Sequence, residues 1–190
     1  GLRQVAVFYD NAQNLYGRKA PPWSAYGLDM RGRSDVMRTS FRCTRAIKEV
    51  ALNLVHRLRP LTDDADIRRQ IDEGLLVEDR VAGRVWWRAP HCEEQGELPR
   101  VELHPTRQAE IAALVERIRD LLEQGVEPRD IRVLANGEDV RAAVMDGLRQ
   151  GLPVPVEERR RSGFQRRVDR VIVTTPHSFK GYDAEVVFVV

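Results

Sequence analysis

Three polar segments of the sequence carry side chains that could bind phosphate or take part in a reaction. The richest lies near the C-terminus, between apolar runs at residues 171–173 and 186–190 that are typical of buried strands. It reads Thr175-Pro176-His177-Ser178-Phe179-Lys180-Gly181-Tyr182-Asp183. Polar, glycine-containing loops between parallel strands are where α/β folds place their binding sites. The segment therefore predicts a site at the end of a strand.

Two further segments lie far upstream, Asp10-Asn11-Ala12-Gln13-Asn14-Leu15-Tyr16 and Ser40-Phe41-Arg42-Cys43-Thr44. Taken from the N-terminus to the C-terminus, the three segments resemble motifs III, IV and V of the superfamily 1 DNA helicases of the UvrD/Rep/PcrA kind. Those motifs read Gly-Asp-x-x-Gln-x-Ile-Tyr, Asn-Tyr-Arg-x-Thr and Thr-x-His-x-x-Lys-Gly-Leu-Glu. Ser40 departs from the family's asparagine. The resemblance covers nearly the whole chain and implies the second RecA-like motor domain of such a helicase.

The resemblance implies a set of ATP contacts. It assigns Gln13 to sensing the γ-phosphate and Arg42 to binding the same phosphate, for which a planar guanidinium that stays charged is well suited. Phe41 takes the place of a tyrosine that stacks on adenine. Asp183 takes the place of a glutamate that hydrogen-bonds the ribose, one methylene shorter. Gly181 is expected to allow close approach of the backbone.

The same resemblance implies contacts with single-stranded DNA. Tyr16 could stack on a base, which is worth ~1–3 kcal/mol and tolerates any sequence. Thr175, His177 and Ser178 offer small donors for phosphodiester oxygens, which position a strand without reading its sequence. Lys180 adds a positive charge. A motor that moves along a strand requires contacts of this sequence-independent kind.

Each of these residues also has a simpler interpretation. Gln13 could be a polar turn residue, Tyr16 a half-buried aromatic, and Arg42 a member of a surface ion pair. The neighbouring His177 and Ser178 could suggest a nucleophile, but adjacent residues rarely orient a hydroxyl toward an imidazole.

Two other groups of residues leave alternatives open. A zinc site is conceivable from four residues whose spacing matches no familiar ligand pattern: Cys43, His91, Cys92 and His104. The basic run at residues 159–167, which contains five arginines, could contact a phosphate backbone or form a solvated loop.

The catalytic half of an ATPase is missing from these 190 residues. No Gly-x-x-x-x-Gly-Lys-Ser/Thr segment occurs to hold a triphosphate, and no Asp-Glu strand end occurs to hold magnesium. The resemblance puts the arginine-containing motif VI beyond residue 190. We therefore expect ATP and Mg²⁺ to be bound mainly by a first RecA-like domain of the same parent protein, and this chain alone to be inactive.

Composition sets further limits. The length fits one domain over residues 1–190, and the apolar strands at both ends suggest a piece of a larger protein. No apolar stretch approaches the ~20 residues that span a bilayer, so no membrane partner is expected. The net charge is only +2, so a nucleic-acid surface requires local clustering. Two cysteines imply no disulfide framework, which favours a cytoplasmic protein.

The elements that must position these segments follow from periodicity. Helices are predicted at residues 44–58 with Thr44 as N-cap, around 65–71, at 108–124 after the cap Thr106, and at 139–150. Strands are predicted at residues 5–9, 84–88, 100–104, 131–134, 171–173 and 186–190, with a short extended segment at 153–156. Alternating strands and helices favour an α/β fold, a RecA-like, mainly parallel sheet with helices on both faces. The family's inserted domain is expected to be absent or reduced to residues 157–167.

Three functions remain open at this stage. The first is the second motor domain of an ATP-dependent DNA helicase or translocase. The second is a helicase-like module that has lost catalysis and binds nucleic acid or protein. The third is an unrelated α/β enzyme with a closed pocket within this chain. Phosphate-loop residues in the complete gene would separate the first two.

Overall fold

The structure, a computed structural model, describes residues 23–29, 43–58, 65–92, 94–159 and 169–190. The chain divides into two units, residues 1–100 and 101–190, and each has its own hydrophobic core. The single domain predicted over residues 1–190 stays a prediction. None of the helices within these ranges combines the length and apolar character needed to cross a membrane.

The first unit contains two helices and a hairpin. After a short 3-10 turn at Trp23–Tyr26 come α1 (Arg45–Leu58), α2 (Ala65–Asp72), β1 (Val77–Val81) and β2 (Arg84–Arg88). The helices predicted at residues 44–58 and 65–71 are confirmed. Thr44 accepts a long hydrogen bond from the Ile47 amide, 3.4 Å, as an N-cap residue does. The strand predicted at residues 5–9 lies outside the described residues.

The hairpin corrects one sequence prediction. β2 is confirmed, but the strand predicted at residues 100–104 is wrong, since these residues lie in no strand and Leu103 is 95% exposed. β2 pairs instead with β1 in an antiparallel register that sets Glu78 opposite Trp87. Ala82 (φ 49°) and Gly83 (φ 76°) form the two-residue turn. Two positive φ values suit the right-handed twist of a hairpin, and an alanine in that role hid the turn signal in the sequence.

The orientation of α1 departs from its pattern. Apolar residues repeat along α1 with helical spacing, and such a stripe ordinarily faces a core. In the structure Leu54 and Leu58 of this stripe are 57% and 88% exposed, whereas the polar residues Glu49 and Asn53 are buried against β2. Leu52, beside them, packs with Leu76, Trp87, Ala89 and Cys92 in the core of the first unit.

The second unit is built on a four-stranded parallel sheet. Its strands are β3 (Ile131–Leu134), β4 (Val156–Glu158), β5 (Val171–Thr174) and β6 (Val186–Val189), in the spatial order β4-β5-β3-β6. β3 and β5 are the central strands and every residue in them is buried. A continuous apolar run is what a strand covered on both faces requires, so the sequence located both strands to within one residue.

Two long helices pack on this sheet. They are α3 (Arg107–Glu123) and α4 (Glu138–Gly151), and a single turn, α5 (Pro176–Phe179), follows β5. Leu114 and Ile118 of α3 and Leu148 of α4 join Val133 and Val173 in one core. Thr106 caps α3 as predicted, its Oγ1 accepting a hydrogen bond from the Ala109 amide at 3.1 Å. The predicted α/β class is confirmed as a parallel sheet flanked by helices, an arrangement compatible with a RecA-like fold.

Candidate functional site

The loop after β5 begins with a well-formed local structure. Thr175 is the N-cap of α5 and Pro176 occupies its first position, where a missing N–H has no consequence. The Oγ1 of Thr175 accepts a hydrogen bond from the Ser178 amide at 3.1 Å and donates one to the Ser178 Oγ at 3.0 Å. The Phe179 amide donates to the Thr175 carbonyl at 3.0 Å. The Thr-Pro-x-Ser sequence therefore fixes the start of the loop by itself.

The polar side chains of this loop are accessible. His177, Lys180 and Asp183 are exposed, and Thr175 and Ser178 are half-buried. Hydroxyl, imidazole and ammonium groups on one turn can donate hydrogen bonds to the oxygens of a phosphodiester. The structure thus brings together the four predicted DNA contacts of this segment, Thr175, His177, Ser178 and Lys180, within one loop.

Gly181 reverses the chain after α5. Its φ is +90°, a conformation that residues with a side chain rarely adopt. The Tyr182 amide donates to the Phe179 carbonyl at 3.0 Å, and the two rings lie 6.4 Å apart between centroids. Among the described residues, none apart from its two chain neighbours comes within 4 Å of the position that a Cβ of Gly181 would take. The glycine serves the turn, and the space beside it is open to a ligand.

The strand order places this loop in the middle of the edge formed by the carboxyl ends of the strands. Because β3 lies beside β5 in a parallel register, their carboxyl ends meet, and the Ala135 amide donates to the Thr174 carbonyl at 2.9 Å. From β3 the chain crosses to β4 on one side, and from β5 it crosses to β6 on the other side. In open α/β sheets ligands bind where connections diverge in this way.

A second loop therefore borders the same edge, and the sequence did not single it out. Asn136 and Gly137 follow β3 directly, and both are exposed. Gly137, with φ +91°, precedes the first residue of α4. The available signal was an Asn-Gly pair between a buried strand and a helix, which marks a loop of special backbone conformation.

The predicted basic run begins at the end of β4. Of its residues 159–167, Arg159 alone is within the described residues. Its amide donates to the Val173 carbonyl at 2.9 Å, and its carbonyl accepts from the Thr174 Oγ1 at 2.6 Å. The Arg159 Nε donates to Glu157 at 2.7 Å, and Arg170 donates to the other oxygen of Glu157 at 2.9 Å. The two arginines, Arg159 foremost, lower the pKa of Glu157. Arg159 therefore has a structural role in joining β4 to β5.

The remaining predicted site residues lie outside the described residues. They are Gln13, Tyr16, Phe41 and Arg42. Their roles, and their proximity to the loop after β5, stay predictions. The ATP roles of Gly181 and Asp183 and the DNA roles of the other predicted residues of this loop likewise stay predictions, although the loop that carries them is described.

The alternative zinc site gains no support from geometry. Cys43 is partly buried and Cys92 is buried. Across the described ranges, no three His, Cys, Asp or Glu side chains form a group that could hold a metal ion. Comparison with known proteins does not show a family for the chain, because no protein-family model, curated protein or solved structure matches it.

Proposed function

We propose that this chain is the second motor domain of an ATP-dependent DNA helicase or translocase. The observation that carries the proposal is the position of the loop Thr175–Asp183, which follows the central strand β5 at the edge where the connections of the sheet diverge. The ordered resemblance of the three polar segments to helicase motifs III, IV and V supplies the specific activity.

The role proposed for the loop is to hold a single strand by its backbone. His177 and Ser178 donate to phosphodiester oxygens, Thr175 orients the Ser178 hydroxyl by donating its single O–H to it, and Lys180 adds a charge that attracts the strand. None of these contacts reads a base, so the strand can shift by one nucleotide and find the same partners. Tyr16 stacks on a base and resists slipping while the loop changes its grip.

The role proposed for the nucleotide contacts is to report the state of ATP. Gln13 and Arg42 bind the γ-phosphate, Phe41 stacks on the adenine, and Asp183 accepts a hydrogen bond from the ribose. ATP and Mg²⁺ are held mainly by the first motor domain, because this chain contains no phosphate loop. Phosphoryl transfer depends on positioning and charge stabilisation, so half of the site gives almost no rate.

A non-catalytic helicase-like module is the second candidate. It is favoured by one observation, the lack of a triphosphate-binding segment within these 190 residues. Such a module would bind single-stranded nucleic acid through the loop Thr175–Asp183 without ATP turnover.

ATP hydrolysis by the full-length parent, with and without single-stranded DNA, tests the proposal. We expect stimulation by DNA, and a loss of about 10³-fold or more in Arg42→Ala, as for other arginines that stabilise the transferred phosphate. Arg57→Ala is the matched control, because it removes the same charge from the exposed far end of α1. Turnover by residues 1–190 alone would contradict the proposal. A folded parent that binds DNA without hydrolysing ATP would favour the binding module.

A further inference from the structure

One side of α1 carries a row of exposed apolar side chains. Ile47, Ala51, Leu54 and Leu58 follow one another in steps of four, three and four residues, and all four are exposed. Alternating steps of four and three residues are the repeat of a coiled-coil seam. The side chains therefore form one row along the helix, about 17 Å long. Together with the exposed Val55 beside it, this row is the seam of α1.

The opposite side of α1 is held against β2. The carboxylate of Glu49 accepts from the Ala89 amide at 3.1 Å and from the Arg88 Nη1 at 3.0 Å. Asn53 makes two further hydrogen bonds, both with the backbone of Trp87. Turning the seam toward β2 would break these buried hydrogen bonds, which is costly. The contacts thus fix the rotation of α1 about its axis with the seam facing outward.

The charged residues that border the seam are basic. With Leu54 at position d of a heptad, Lys48 occupies an e position and Arg57 a g position, one on each side of the seam. Arg57 is exposed and Lys48 is half-buried. The one acidic residue of α1, Glu49, lies on the opposite side and pairs with Arg88 at 3.0 Å. The outward side of α1 therefore combines an apolar row with positive charge on both flanks.

We propose that the seam of α1 is a docking site for an acidic amphipathic helix of a partner protein. That helix places apolar residues against Ile47, Ala51, Leu54 and Leu58, and carries Glu or Asp where it faces Lys48 and Arg57. A helix laid against an apolar surface is a common mode of recognition, and the charges at e and g positions select the partner and its orientation. The inference goes beyond the proposed function and does not depend on it.

The combination of charge and apolar surface favours this partner over two others. A second copy of the chain would bring two Lys48 and two Arg57 side chains to one seam, and α1 has no carboxylate on that side to pair with them. A nucleic-acid backbone would use Lys48 and Arg57 but would leave the apolar row without a contact. Contiguous exposed apolar surface of this kind commonly marks a protein interface.

Two synthetic peptides test the seam with the 190-residue chain. Each is a helix of about three heptads with isoleucine at a and leucine at d; one has glutamate at e and g, and the other has lysine there. Like charges at these positions discourage each peptide from pairing with itself. Fluorescence anisotropy of the labelled peptides measures binding. We expect saturable binding of the glutamate peptide, weakened by salt, and none of the lysine peptide.

Variants of the chain assign the binding to the seam. Leu54→Ser and Leu58→Ser each remove apolar surface, and we expect each to weaken binding of the glutamate peptide roughly tenfold or more. Leu103→Ser is the matched control, because Leu103 is an exposed leucine outside α1. Lys48→Glu combined with Arg57→Glu should reverse the preference, so that the chain binds the lysine peptide. A merely structural role of these residues would not produce that reversal.

Each of the other outcomes would overturn the proposal. The folded chain would show no saturable binding of either peptide up to about 1 mM, or equal binding of both. A dimer in sedimentation that Leu54→Ser dissociates would identify a second copy as the occupant. Binding of single-stranded DNA that needs Lys48 and Arg57 but not Leu54 would identify nucleic acid. ATP hydrolysis by the full-length parent tests the proposed function separately, because no residue of the seam is among its assigned contacts.

Discussion

The side chain of Asn53 forms two hydrogen bonds with the backbone of Trp87, as a neighbouring strand would. Its Oδ1 accepts from the Trp87 amide at 2.9 Å, and its Nδ2 donates to the Trp87 carbonyl at 2.9 Å. One turn earlier, Glu49 accepts from the Ala89 amide at 3.1 Å. Four residues of helix rise ~6 Å and two residues of strand rise ~6.8 Å, so the two side chains match the spacing of the edge of β2.

This relationship explains the orientation of α1. Within the described residues β2 pairs with one strand, β1, and the backbone groups of Trp87 and Ala89 lie on the other edge. Buried backbone groups without partners are costly, and within the described residues Glu49 and Asn53 supply the partners. The polar residues Glu49 and Asn53 of α1 therefore face β2, and most of the apolar stripe is exposed, with the exception of the buried Ala46.

Replacing Asn53 tests which side of α1 is buried. Asn53→Ala leaves the amide and the carbonyl of Trp87 without partners, and a buried unsatisfied group costs about 1–3 kcal/mol. We therefore expect the free energy of unfolding to fall by roughly 2–4 kcal/mol in denaturant titrations. Leu54→Ala is the control on the neighbouring residue, and we expect a change within about 0.5 kcal/mol because Leu54 is exposed. If Leu54→Ala is the more damaging change, the apolar stripe is the buried side.

Lys180 should contribute to DNA affinity through its charge alone. In the full-length parent, we expect Lys180→Ala to weaken binding of single-stranded oligonucleotides equally for all sequences. The slope of log K against log salt should become shallower by about 0.7, the value for one phosphate contact on a single strand.

Arg149→Ala is the matched control for that titration. It removes the same charge from an exposed residue in the last turn of α4, while the loop Thr175–Asp183 follows the carboxyl end of β5. Fluorescence anisotropy at several salt concentrations measures both variants. An equal loss of slope in both would show that the loop makes no specific phosphate contact.

Two glycines with the same backbone conformation separate stability from binding. Gly181 and Gly125 have φ values of +90° and +92°, and within the described part of the chain a Cβ at either position would meet nothing within 4 Å beyond its adjacent residues. We expect Gly181→Ala and Gly125→Ala to lower the free energy of unfolding similarly, by about 1 kcal/mol or more. Only Gly181→Ala should weaken binding of single-stranded DNA by the parent, because its loop carries the proposed contacts. Loss of binding in both would point to a general effect of instability.

The ion pairs of Glu157 predict a dependence of stability on pH. Hydrogen bonds from Arg159 and Arg170 lower its folded-state pKa below the ordinary value of 4.5. The ionised carboxylate therefore adds stability that is fully present above about pH 4.5 and disappears as the pH falls through the folded-state pKa. Glu157→Gln should destabilise the chain near pH 7, and the difference from wild type should shrink in acid.

Thermal unfolding at neutral and acid pH measures this difference. Glu123→Gln is the control, since it makes the same change of charge on an exposed residue of α3. A difference between wild type and Glu157→Gln that persists at low pH would show that the side chain acts by packing and not by charge.

Much of the candidate site could be predicted from residues that lie close together in the sequence. The start of the loop after β5 depends on Thr175 and Ser178, three residues apart, and on Pro176 between them. Capping of this kind acts over one turn, so it is visible in the sequence. The role of Asn136 and Gly137 was not visible, because it depends on β3 lying beside β5, which are 40 residues apart in the register that pairs Arg132 with Ile172.

The sequence by itself determined the helices α3 and α4 and the strands β3, β5 and β6, since their apolar periodicity and their caps act within one element. Only the tertiary structure decided the partner of β2 and the buried side of α1. The partner of β2 was missed because Ala82 hid the turn signal, whereas the buried side of α1 depends on residues far apart in sequence. The backbone groups of Trp87 need hydrogen-bond partners, and the side chain that supplies them, Asn53, lies 34 residues away. The apolar periodicity of α1 gives no sign of these hydrogen bonds, so most of an apolar stripe that predicts a core-facing side is exposed instead.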